Sequence, residues 1–167
     1  EGELQKIASS GFTELYFDSK TSDVAVKEIT QNKMWYSMPE GADGSVLSMQ
    51  VIASDGVHYL NSQDNSVAFS NWSYELTKDG VTVNYTLTDS LKTAQKESFK
   101  DSDIAFSAKV AFTLKDGGFF VSAELKNLSG NTKCAVKSFC ILEKFGAFKN
   151  PQKDDFFVVP DGCGALA

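Results

Sequence analysis

Apolar and polar residues alternate with a period of two along most of this chain, and a 3.6-residue period is nearly absent, which predicts strands rather than helices. The clearest run is 104–114. There Ile104, Phe106, Ala108, Val110, Phe112 and Leu114 fall on one face, and Ala105, Ser107, Lys109, Ala111 and Thr113 on the other. Lys115-Asp116-Gly117-Gly118 follows, with residues that tolerate positive φ, and the alternation resumes with Phe119, Val121, Ala123 and Leu125 against Phe120, Ser122, Glu124 and Lys126. This predicts a hairpin. A second is predicted around Lys78-Asp79-Gly80, with 74–77 leading in and Val81, Val83, Tyr85 and Leu87 pointing inward on the way out.

Near the start, 14–18, 24–29 and 34–37 read as a three-strand meander separated by polar turns. Further strands are expected at 46–52, 56–60, 67–69, 135–143 and 156–159. Only 1–9 and 90–99 carry any hint of a helical turn, and both are short and weakly amphipathic. The prolines, Pro39, Pro151 and Pro160, all fall between expected strands, where no ladder donor is lost. About a dozen short strands, each with one apolar face, predict an all-β fold: an antiparallel two-sheet β-sandwich. No repeat or linker divides residues 1–167, so a single domain is expected. A start at Glu1 rather than Met, and an apolar stretch opening at Ala165-Leu166-Ala167, read as a segment of a longer multidomain protein.

Composition narrows the partners. With 42% apolar and 23% charged residues the chain has the make-up of a globular protein. Its 16 cations are all Lys, and against 22 acids they leave a net charge of -6. Nucleic acid is repelled by that balance, and no Arg is present to grip phosphates or bases in two-pronged fashion. No run of roughly 18 apolar residues occurs, so this segment is not expected to insert into a membrane. Cys134, Cys140 and Cys163 cannot all pair internally and form no zinc-type cluster, which points to free thiols.

The chemistry-bearing residues are few. His58 is the only histidine, so no mechanism needing two imidazoles and no multi-histidine metal site can be built here. It lies in a strand pattern, Gly56-Val57-His58-Tyr59-Leu60, with no Gly-x-Ser-x-Gly elbow anywhere, and reads as an ordinary outward or half-buried residue. Glycine-rich phosphate loops are absent, and no cofactor is expected. Asp101 and Asp103, on one face at the start of a strand, and Asp154-Asp155 in a polar loop are the calcium candidates, though solvated turn acids are the commoner outcome. Sugars are held by flat rings against their C–H faces. Trp72 and Tyr74, two apart in Asn71-Trp72-Ser73-Tyr74-Glu75, point the same way and form the leading candidate for carbohydrate binding. Trp35 and Tyr36 are secondary candidates that face opposite ways. Core packing is the ordinary fate of such rings.

Three stretches carry a resemblance. The run 15–27 with Lys33-Met34-Trp35-Tyr36-Ser37 resembles the opening of large secreted proteins of Gram-positive bacteria, and Val158-Val159-Pro160-Asp161-Gly162-Cys163-Gly164-Ala165-Leu166 resembles a later segment of the same proteins, with Cys163 at a usual Ser. Residues 120–129 followed by 141–147 look like the strand-turn-strand of galactose-mutarotase-like supersandwich domains, which often precede a catalytic barrel in glycoside hydrolases. The resemblance implies a supersandwich placed N-terminal to further domains of an extracellular or cell-surface, carbohydrate-associated protein. It transfers no catalytic residue, because mutarotase chemistry uses histidines that this chain lacks. The expected function is a non-catalytic module that binds glycan weakly or supports a downstream domain of the same chain. A glycoside-hydrolase fragment lending one carboxylate to a shared site, and a structural adhesion domain, are the alternatives.

Overall fold

The computed structural model describes residues 3–38, 45–62 and 69–146, with side chains at 69 and 70 excepted. Eleven strands and one short helix occur among them: β1 (Gln5–Ser10), β2 (Thr13–Phe17), β3 (Val24–Glu28), β4 (Lys33–Tyr36), β5 (Leu47–Ala53), β6 (Gly56–Asn61), β7 (Phe69–Thr77), β8 (Gly80–Thr88), α1 (Leu91–Ala94), β9 (Ala105–Lys115), β10 (Gly118–Asn127) and β11 (Ala135–Ile141). Every pairing is antiparallel. The all-β antiparallel expectation therefore holds.

The ladders number three: β1-β2-β3-β4, β10-β9-β8-β7 and β11-β5-β6. β1 and β2 approach β8 and β9, while β6 approaches β7 and β8. One layer is thus the β10-to-β7 sheet, and the material packed on it comes from two separate ladders. All three sheets contribute to one core, through Leu15 and Val24, Met49 and Leu60, and Val83, Tyr85, Val110 and Phe112.

The predicted inward set of β9 is buried throughout, from Ile104 to Leu114. Its hairpin with β10 turns on Asp116 (φ 52°) and Gly117 (φ 77°), the paired positive angles of a type I′ turn whose twist suits the flanking strands. The expected inward set of β10 is only half covered: Phe119 and Leu125 pack on the core, but Val121 and Ala123 are exposed. β10 is an edge strand, and the packed layer does not reach its whole length.

Two expectations need correction. The segment 1–9 contains strand β1 rather than a helical turn, because its backbone finds β2 as a ladder partner, with a bulge between Lys6 and Ala8. Asp101 and Asp103 lie in the loop before β9 rather than on a strand, so no pleat sets them on a common face. The segment 90–99 does hold a helical turn, α1, capped by the Ser90 hydroxyl accepting from Thr93 N–H. Cys134 and Cys140 are free thiols. The prolines, Cys163, Asp154-Asp155, the expected strand 156–159 and all but Phe69 of the expected strand 67–69 lie outside the described residues.

Candidate functional site

Trp72 and Tyr74 sit on β7, the edge of the four-stranded sheet, opposite Tyr85 and Val83 of β8. Because those partners are buried, the two rings lie on the core-facing side of an edge strand, and not on the outer face. Their centroids are 6.0 Å apart with a 36° tilt. Phe17 of β2 backs both, 6.4 Å from Trp72 edge-on and 5.0 Å from Tyr74. Trp72 packs against the core, whereas Tyr74 is 43% exposed. The pair is a fixed, half-covered aromatic rim, with Phe17 restricting how the rings turn.

Trp35 and Tyr36 do not join it. Trp35 is half-buried on β4 with the Lys33 ammonium 6.0 Å from its ring centroid. Tyr36 faces the other way and lines a recess of about 220 Å³ shared with Asp18, Asp23, Ser37 and Met38. The recess belongs to a turn network. Asp18 Oδ1 accepts from Lys20 N–H, the Ser37 hydroxyl donates to Asp23 and accepts from Val24 N–H, and the buried Tyr85 hydroxyl donates to Ser22 Oγ at 3.0 Å. Burial raises the Asp23 carboxyl above the ordinary carboxylate range and pushes the Tyr85 phenol upward.

Asp103, a calcium candidate, is committed elsewhere. Its carboxylate accepts from Lys100 N–H at 2.8 Å and is bridged by the Lys96 ammonium, and these two contacts, the backbone one first, hold it below its ordinary range. Asp101 is exposed and lines the rim of a cavity of about 570 Å³. No group of three or more His, Cys, Asp or Glu among the described residues is placed to hold a metal ion.

That larger cavity was not foreseen from the sequence. It opens at one end of the sandwich, where the β5–β6 turn, the end of β8, the loop before β9 and the β10–β11 connection meet, and its lining includes Asp55, Asp89, Asp101, Asn131 and Lys133. His58 touches two of these acids: Nε2 is 2.9 Å from Asp55 Oδ1, and Nδ1 is 3.5 Å from Asp89 Oδ2. The local half of this arrangement, Asp55 and His58 across a tight turn, was readable. Asp89 comes from 31 residues further on, and no periodicity announces that meeting.

No protein-family model, curated protein or solved structure matches the chain. No helix among the described residues is long and apolar enough to cross a membrane.

Proposed function

We propose that this chain is a non-catalytic β-sandwich module of an extracellular, carbohydrate-associated protein, one that engages glycan weakly through the Trp72–Tyr74 rim and supports a downstream domain. The observation that carries the reading is the pair of rings 6.0 Å apart at a sheet edge, backed by Phe17. Rings held in place by a neighbour lose little freedom when a sugar's C–H face settles on them, which favours binding. The resemblance of the opening meander and the 120–129 hairpin arm to secreted, carbohydrate-associated proteins points the same way. The single histidine supports the non-catalytic part, since most acid–base machinery on such a scaffold would want more.

Affinity electrophoresis of the protein through a panel of neutral polysaccharides tests the reading. Retardation by at least one polymer is expected, weakened about tenfold in Trp72→Ala and largely kept in Tyr74→Phe, which preserves the ring. Free migration of the unmodified protein through every polymer overturns it.

A further inference from the structure

The four-stranded sheet built on β8 and β9 ends on β10, and that edge lacks the devices that guard other edges of the molecule. β1 and β11 each carry a bulge, and β4 has only four residues. β10 runs ten residues without proline, in unbroken register with β9 from Gly118↔Lys115 to Asn127↔Phe106. α1 and β6 come up against β7 at the opposite edge, whereas among the described elements only β9 runs beside β10. Both faces are open near its middle: Phe120 is 55% exposed on one side and Val121 38% on the other, and Ser122, Ala123 and Glu124 after them are exposed as well.

The backbone of β10 is equally open. The two-residue turn Asp116-Gly117 makes Lys115 and Gly118 a hydrogen-bonded pair, so even-numbered residues of β10 direct their N–H and C=O groups at β9. Leu128 N–H, which donates to the Ala105 carbonyl at 2.9 Å, keeps that parity. Odd-numbered residues from Phe119 to Asn127 therefore turn theirs outward, where no described residue meets them.

We propose that β10 is a self-association edge, pairing antiparallel with β10 of a second copy of this chain about a two-fold axis through Ala123. An axis normal to the sheet sets each residue against one on the same side of the pleat, so it must pass through a residue. Centring on Ala123 matches nearly the whole strand. It sets Phe120 against Lys126 across the axis, Ser122 against Glu124 and Val121 against Leu125. These are a cation at a ring, a hydroxyl that donates to a carboxylate, and two aliphatic side chains, each occurring twice by symmetry, with no like charges opposed. Moving the axis to Ser122 would set Phe120 against Glu124 and lose those matches. The strand is thus complementary to itself, which favours a second copy over an unrelated strand and closes the assembly at two. A strand edge buries little area, which places the affinity at the weak end for dimers. Pairing here leaves both Trp72–Tyr74 rims at the outer ends of one continuous sheet, and the inference does not rest on what those rims bind.

Sedimentation velocity of the full chain over a concentration series is the first test, with a reversible monomer–dimer equilibrium expected. Ser122→Glu, which opposes like charges at two symmetric places, should weaken the dimer about fivefold, and Ser122→Lys should tighten it by about as much. Ser122 is exposed and faces Ala111 on β9, so both variants should keep the unmodified protein's circular dichroism. Amide hydrogen exchange reads the register: Val121, Ala123 and Leu125 should slow as the dimer forms, while the even-numbered amides, already bonded to β9, stay protected throughout. The monomer mass persisting to about 1 mM, open-ended growth beyond two copies, or a dimer in which those three amides remain fast overturns the proposal. So does an affinity indifferent to both Ser122 variants. Trp72→Ala should leave the equilibrium unchanged, so failure of this inference and failure of the glycan reading are separately visible.

Discussion

Asp103 shows how a carboxylate that the sequence offers as a cation ligand is taken up by partners within the chain itself. Its carboxylate does collect positive partners, but they are Lys100 N–H and the Lys96 ammonium, which tie the loop before β9 to the segment after α1. Since the folded carboxyl sits below its ordinary value, its contribution to stability is full above the unfolded value of about 3.9 and is lost as pH falls through the lower folded value. Asp103→Asn should therefore lower stability at neutral pH, with the difference from the unmodified protein shrinking below about pH 4. Urea unfolding at pH 7 and pH 3 checks this, and a difference independent of pH would be incompatible with it. The same scale explains what the sequence hid about the cavity. Alternation places His58 on a face of β6, but it says nothing of Asp89 arriving from the end of β8.

At the scale of elements, alternation identified which residues share a face, and β9 and β8 follow it because both are flanked by strands and covered by a second layer. It could not say which strands lie at an edge. That is why Val121 on β10 is exposed, and why Trp72 and Tyr74, rightly paired on one side of β7, turn out to share the side that Phe17 covers. Turn chemistry was legible where the residue type dictates it, as at Asp116-Gly117. Gly80 is a different case, since a negative backbone angle would not have required glycine there. What requires it is proximity: a Cβ on Gly80 would lie 1.9 Å from the carbonyl oxygen of Phe112 on the neighbouring strand. Gly80→Ala should cost about 3 kcal/mol, because backbone in the middle of a paired sheet cannot move aside as a side chain would. A fall in the urea midpoint with an unchanged slope is the expected signature.

Across the whole molecule, three ladders share one interior, and Phe112 lies at 0% exposure within it. Truncating that ring should destabilise by about 3–5 kcal/mol. Circular dichroism and tryptophan fluorescence should then report the same lowered midpoint, because the three ladders of the described residues all draw on this one core; two resolved transitions would show otherwise. The overall class was legible because a period of two repeated over many short runs admits few other solutions. That two ladders, rather than one continuous sheet, make up the second layer was not, since that depends on which strands meet across long loops. One contact spans much of that distance. The Thr13 hydroxyl donates to Gly117 carbonyl at 2.8 Å and Gly117 N–H donates to Ser10 Oγ at 3.0 Å, clasping the first hairpin of the chain to the tip of the β9–β10 hairpin. A ribosome making this protein must therefore release β8 and β9 before the opening meander meets its lasting neighbours, and Gly117 before this clasp can close. Until then its greasy side stays without the cover that β8 and β9 later provide, a stretch of synthesis during which a chaperone would find the nascent protein most receptive.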